Sequence, residues 1–313
     1  MTRYLGMRLA DAIITLLLVL TIVFLALRVL PGDPAIAALG DMAGEEQIRA
    51  FREELGLNRP LYEQYFSFLW NMLQLDFGRS MANNDVILDV LLSNLPYTMQ
   101  LAAAAMTIGM LIGVPAGIVS AVNKGRTVDY LARIFALVGL CIPDFYLGAL
   151  MLIVFALHLD WLPIMGGGGD FLDRLHHLVL PGCTLGLVMA AFTSRLTRSA
   201  LLEVLGRDYV RTARAKGVSE RLVITKHALR NALIPVVTGF GIYILTMLSG
   251  SISIELIFSR PGIGAVLVNG ITGRDYTIVQ AGLVMFAFFV VLVNVMVDVV
   301  YALIDPRIRI QGR

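Results

Sequence analysis

Polar and apolar positions in this chain are segregated rather than alternated. Six stretches are free, or nearly free, of Asp, Glu, Lys and Arg: Ala12 to Leu27, Leu95 to Asn123, Ile134 to Leu157 with Asp144 as its one acid, Leu178 to Ser194, Asn231 to Ile254 and Tyr276 to Val297. A hydrocarbon core about 30 Å thick needs about 20 predominantly apolar helical residues, and each stretch meets or approaches that length. Lipid offers no partner to an unpaired backbone group, so the expected fold class is all-α: a polytopic membrane protein with six transmembrane helices. The first stretch follows Arg3 and Arg8 as a secretory signal would. Its apolar part is long for one, and Leu30-Pro-Gly-Asp33 offers no small-x-small cleavage site, so an uncleaved span is expected.

Basic residues orient the spans. Arg198 to Arg230 holds eight of them against three acids, and Lys124, Arg126 and Arg133 lie between the second and third spans. With Arg3 and Arg8 at the start and Arg307, Arg309 and Arg313 at the end, these place both termini and the 198–232 loop in the cytoplasm. Pro31 to Leu95 carries four basic residues and ten acids and is assigned outside. Glu45 and Glu46 favour a helix start there, Ile48, Phe51 and Leu55 share a face, and Gly56 supplies a stop. A second helix should begin near Pro60, with Tyr62, Tyr65, Phe66, Leu69 and Leu73 as its apolar stripe.

Composition narrows the function. Of 313 residues, 58% are apolar and 15% charged, against about 25% charged in an ordinary soluble domain. A disordered chain is excluded, a soluble enzyme is not the expectation, and a net charge of +2 gives no sign of a polyanion partner such as nucleic acid. Cys141 and Cys183 sit in apolar runs and suggest neither disulfide nor metal. A P-loop ends in Gly-Lys-Ser/Thr, but the three lysines here precede Gly125, Gly217 and His227, so the chain carries no ATP site of its own. His158, His176, His177 and His227 contain no zinc-protease spacing. Gly167-x-Gly169-Asp170 matches an intramembrane aspartyl protease only trivially, within four glycines and without a Tyr-Asp partner. No cofactor is expected. Gly109, Gly113 and Gly117, and again Gly182 and Gly186, recur every four residues and should let another helix approach closely.

The basic loop is the most informative segment. Asp208-Tyr-Val-Arg-Thr-Ala-Arg-Ala-Lys-Gly217 reads as a helix closed by a glycine, and the chain from Val218 to Pro235 as a second helix entering the fifth span. This resembles the EAA loop of the permease subunits of bacterial binding-protein-dependent ABC importers, in the dipeptide/oligopeptide (nickel, glutathione) branch. Against Glu-Ala-Ala-x-x-x-Gly, Ala213 and Gly217 match while Arg211 and Thr212 replace the Glu and the first Ala. Of the later Ile-x-Leu-Pro only Leu229 survives, the proline being displaced to Pro235. Leu30-Pro-Gly-Asp-Pro34, Leu55-Gly-Leu-Asn-Arg-Pro-Leu61, Phe77-Gly-Arg-Ser80, Arg260-Pro-Gly-Ile-Gly264, Arg274-Asp-Tyr276 and Asp305-Pro-Arg307 resemble further landmarks of that branch, in order.

The resemblance implies an ABC importer permease fold with a first transmembrane helix (1–30), an extracytoplasmic helical segment (31–95), a five-helix core (96–303) containing the 198–232 coupling loop, and a cytoplasmic tail (304–313). It implies a non-enzymatic transport subunit of the bacterial inner membrane. Its partners would be a second homologous permease, two cytoplasmic ABC ATPases and an extracytoplasmic substrate-binding protein, and its cargo di- or oligopeptides. Arg211, Thr212, Ala213, Arg214, Ala215, Lys216 and Gly217 would couple to the ATPases. Ala213 is small enough for the helix to lie in a partner groove. The competing roles are a basic loop that only holds anionic lipid, a stand-alone ion-driven secondary transporter and a structural scaffold. A carrier would place ionisable groups at the midplane, where only Asp144 qualifies. Halfway along a span, roughly 15 Å from either surface at 1.5 Å per residue, and preceded by helix-opening Pro143, Asp144 is a candidate for the translocation path or for a tie to a neighbouring helix.

Overall fold

The computed structural model describes residues 2–29, 36, 44–54 and 56–304. The Leu30–Pro34 and Asp305–Arg307 landmarks, Leu55 and the side chain of Phe51 lie outside the described set. Twelve helices are named here: α1 (Thr2–Val29), α2 (Glu45–Glu54), α3 (Leu61–Leu73), α4 (Ile87–Val122), α5 (Thr127–Cys141), α6 (Asp144–Met151), α7 (Phe171–Leu205), α8 (Asp208–Ala215), α9 (Glu220–Leu222), α10 (Leu229–Ile257), α11 (Ile263–Thr272) and α12 (Tyr276–Ile304). The helix of α6 runs on as a π-helical stretch, Leu152–His158, and a second such stretch, Val223–Ala228, joins α9 to α10. Five helices among the described residues are long and apolar enough to cross a bilayer, and α5 with α6 makes six if that bent pair is one span.

The third span differs from the sequence expectation of a straight helix. α5 and α6 meet at 103° across Ile142 and Pro143. Pro143 has no N–H to continue the ladder and its ring excludes the preceding carbonyl, so the helix ends at Cys141 and restarts at Asp144. Asp144 is therefore the first residue of a new helix, not the midpoint of one.

The chain forms two compact units, Met1–Pro96 with Pro261–Val295, and Tyr97–Arg260 with Met296–Arg313. In the first, Leu20, Val23, Phe24 and Leu27 of α1 share a core with Phe68 of α3, Ile87 and Leu91 of α4, Ile263 and Leu267 of α11, and Val279 and Val284 of α12. The two helices expected between the first and second spans are present, with Gly56 at φ +65° after α2. The stripe on α3 does not. Phe68 is buried, with Tyr65, Leu69 and Met72 against the core, whereas Tyr62, Phe66, Trp70 and Leu73 are exposed. α3 is apolar on nearly every face, so periodicity alone could not choose one. Phe24 decides it, stacking edge-on to Tyr65 at 5.2 Å while Thr21 and Tyr65 share a 2.7 Å hydrogen bond.

In the second unit α7 is central, packed against α5, α6 and α10. The expected close approaches are present on its α4 side. A Cβ added at Gly113 would stand 2.7 Å from Ala190 O, and one at Gly117 2.5 Å from Thr197 Cβ and 2.6 Å from Ser194 O. Gly186 answers from α7, where a Cβ would meet Ile108 at 2.6 Å. Outward faces of α1 and α5, such as Ile14, Leu18, Ile22, Leu131 and Leu137, are exposed apolar surface suited to lipid.

Gly117→Val should force α4 from α7, an overpacking cost of about 1–3 kcal/mol or more. Gly6→Val, at a site with nothing within 4 Å of its Cβ direction, is the control. Melting temperature and monodisperse yield in detergent should fall for the first variant alone.

Candidate functional site

Local sequence builds the loop between α7 and α10. α7 runs on to Leu205, so Arg198, counted by sequence as loop, is helical. α8 follows Gly206 and Arg207, with Asp208 in its positive first turn and Arg214 in its last, both matching the helix dipole. Val210 and Ala213, one turn apart, are buried against Val223, with Val204, Leu205 and Val218 around them. Ala213 thus faces inward. Its methyl packs on the chain's own helices, because positions i and i+3 of so short a helix must share the one apolar face it has. Arg211, Thr212, Arg214, Ala215 and Lys216 are exposed. Gly217 closes the helix at φ +77° with open space where a side chain would lie, so the backbone conformation alone selects glycine. Arg214 then reaches Glu220 with Nη2 at 2.6 Å, spanning the turn.

Asp144 lies on a separate part of the unit. Its Oδ1 accepts from Phe145 N at 2.7 Å, and it is half-buried. Gly250 of α10 leaves the space its other carboxylate oxygen occupies. The structure thus does not bring Asp144 together with the 211–217 residues.

Three buried charges escaped the sequence reading. Asp129 of α5 is 1% exposed. It pairs with Arg198 through Nε at 2.7 Å and Nη2 at 2.9 Å, and also accepts from Ser120 Oγ and Gly125 N. Glu255 of α10 is fully buried and accepts from Thr98 Oγ1 at 2.6 Å. Arg260 is 1% exposed. Its Nη2 donates to Gln100 at 3.1 Å, while Nε and Nη1 have no acceptor. Leaving such a donor unmade costs about 1–3 kcal/mol, more when charged. Glu255 was legible in principle, standing one residue beyond the apolar run that ends at Ile254 with Leu256 and Ile257 after it.

In the first unit, two sequence landmarks prove to be one feature. Ser80 Oγ donates to Asp275 Oδ2, across 195 residues. Ile278 N and Ala82 N complete the cage at 3.1 and 3.3 Å. Burial pushes the Asp275 carboxyl up, but these hydrogen bonds outweigh it and hold it below the ordinary carboxylate range.

Helices long and apolar enough to cross a bilayer, with a broken span among them, define a polytopic membrane protein. The binding-protein-dependent transport system inner membrane component family matches residues 113–310, and the N-terminal family of the same membrane components matches residues 1–102. The chain belongs to this family of inner-membrane permeases of binding-protein-dependent ABC importers. It is 42% identical over 309 residues to the glutathione transport system permease protein GsiC of Escherichia coli K12 and to that of Shigella dysenteriae, covering 99% of each chain. Among solved structures, the inward-facing MetNI methionine ABC transporter matches at TM-score 0.57 and 20% identity, over 69% of this chain and 96% of that one. That likeness concerns the fold.

Asp275→Asn should weaken the Ser80 cage by about 1–3 kcal/mol. Because the folded carboxyl is depressed, its contribution is present above the unfolded value near 3.9 and is lost as pH falls through the folded one. Thermal unfolding between pH 7 and 3 should show a wild-type advantage over Asp275→Asn that shrinks at the acid end; a constant gap would contradict it.

Proposed function

We propose that this chain forms half of the path by which an ATP-driven importer carries glutathione or short peptides inward, coupled to separate ATPase subunits. The likeness over 99% of both chains to permeases named for glutathione transport carries the substrate class. A homologous permease would supply the other half, two cytoplasmic ABC ATPases the energy, and an extracytoplasmic binding protein the cargo. Both termini and α8 face the cytoplasm, a reading supported by eight basic residues from Arg198 to Arg230 and by the acidic balance of 31–95.

The coupling surface is the outer face of α8. Arg211, Thr212, Arg214, Ala215 and Lys216 contact the ATPase, while Val210 and Ala213 clamp the helix to the end of α7 and to the π-helical stretch that begins at Val223, so that a push on the polar face moves the spans. Gly217 and the Arg214–Glu220 pair keep the turn rigid. Asp144 is the candidate path residue: a carboxylate at the N-terminus of a half-helix, at a break in a span, is where a passing ammonium group or cation could pause.

Proteoliposomes holding the permease pair, both ATPases and the binding protein should take up labelled glutathione with ATP, and not when the ATPases are omitted. Uptake without ATPases would favour an ion-driven carrier. Gly217→Leu forces a left-handed conformation costing roughly 1–2 kcal/mol, so uptake in assembled complexes should fall ~5–30-fold. Asp144→Asn should alter uptake without loss of assembly; unchanged uptake would leave Asp144 a structural tie. Ser219→Cys should react with an impermeant thiol reagent in inverted vesicles and not in intact cells; labelling from outside would reverse the orientation.

A further inference from the structure

Arg260 is buried with most of its hydrogen-bonding capacity unspent. Nε carries one N–H and Nη1 two, and none of the three has an acceptor among the described residues. The guanidinium carbon stands 5.3 Å from the centre of the Tyr97 ring, and that of Arg174 stands 5.8 Å from the same ring. Two cations thus stand against one aromatic ring at the start of the second unit's part of α4. The nearby acid is engaged: Glu255 accepts from Thr98 Oγ1 and, through its backbone carbonyl, from Arg260 N at 2.8 Å. Among the described residues the Arg260 guanidinium donates to Gln100 at 3.1 Å, a neutral acceptor that a carboxylate would displace at a gain. In the orientation proposed above, this end of α4 and the turn after α10 lie at the extracytoplasmic mouth, where cargo enters.

We propose that Arg260 is a seat for a substrate carboxylate at the outer mouth of the import route, an inference that rests on the peptide-importer reading. A planar guanidinium suits a carboxylate better than any other group the cargo class presents, and every free peptide carries one at its C-terminus. At 1% exposure the seat is shut. Cargo entry parts the ends of α4 and α10, breaks the Gln100 contact and lets the three idle N–H groups meet the incoming anion. Arg174, against the same Tyr97 ring, adds positive charge to the approach. Glu255, held by Thr98, keeps the guanidinium in place between cargoes.

The test uses the complete reconstituted complex with saturating binding protein, labelled glutathione, and trialanine as free acid and as C-terminal amide. Arg260→Gln should cut uptake of glutathione and of the free acid at least tenfold, leave the amide within about threefold, and assemble in normal yield. Arg260→Lys, keeping the charge, should recover most of the free-acid uptake and covers the case in which the glutamine variant fails to assemble. An equal fall for acid and amide would make Arg260 a structural cation and overturn the seat. So would normal glutathione uptake by Arg260→Gln, or an Arg260→Lys complex that assembles and imports only the amide. If wild type refuses the amide, the glutathione result decides alone. Failure of the wild-type complex to import any of the three peptides would instead overturn the substrate reading, and the seat with it.

Discussion

The approach of α4 to α7 supports most of what the second unit does. Helices in lipid gain nothing from hiding apolar surface from one another, so they associate through close packing and hydrogen bonds. Gly113 and Gly117 supply the closeness, leaving room for the backbone oxygens of Ala190 and Ser194. That contact fixes α7, and α7 carries two further features. One is Arg198, delivered to Asp129 of α5. The other is the Val204–Leu205 end against which Val210 of α8 is buried. In the coupling proposed above, force on α8 would pass to the spans along this line of small residues and one buried ion pair.

The buried charges follow the same logic. Removing one partner of a desolvated pair costs more than the pair contributes, since the remaining charge cannot regain water. Asp129 and Glu255 both have hydrogen-bond donors from another helix, and both bind residues distant in sequence. In the first unit, Ser80 and Asp275 do the same between the segment before α4 and the start of α12. These ties lie at the ends of spans, where helix ends have unspent backbone groups and polar side chains are least costly. Arg260 departs from the pattern, as the buried cation whose donors are mostly unmet.

The broken third span shows how a local rule reshapes a helix. A proline one residue before an aspartate ends one helix and starts another with a carboxylate in its first turn, a favourable arrangement for the dipole. The sequence reading set Asp144 at the middle of a straight helix. The 103° bend turns it into a helix start beside Gly250.

Hydropathy determined the fold class and the spans, because lipid imposes one long-range rule that every twenty-residue window obeys by itself. The glycine spacing on α4 and the left-handed turn at Gly217 were equally legible, both being consequences of what a missing Cβ permits. Other features required the folded chain. The face of α3 was undecidable because Tyr62 and Phe66 are as apolar as Tyr65 and Phe68, and Phe24 of α1 made the choice. Ala213 turned inward because α8 has a single apolar face to bury and α7 lay beneath it. Asp129 and Arg198, 69 residues apart, and Ser80 and Asp275, 195 apart, look like ordinary surface charges and turn residues in the sequence. A charge's partner is a matter of which helices cross where, and only the tertiary structure fixes that crossing.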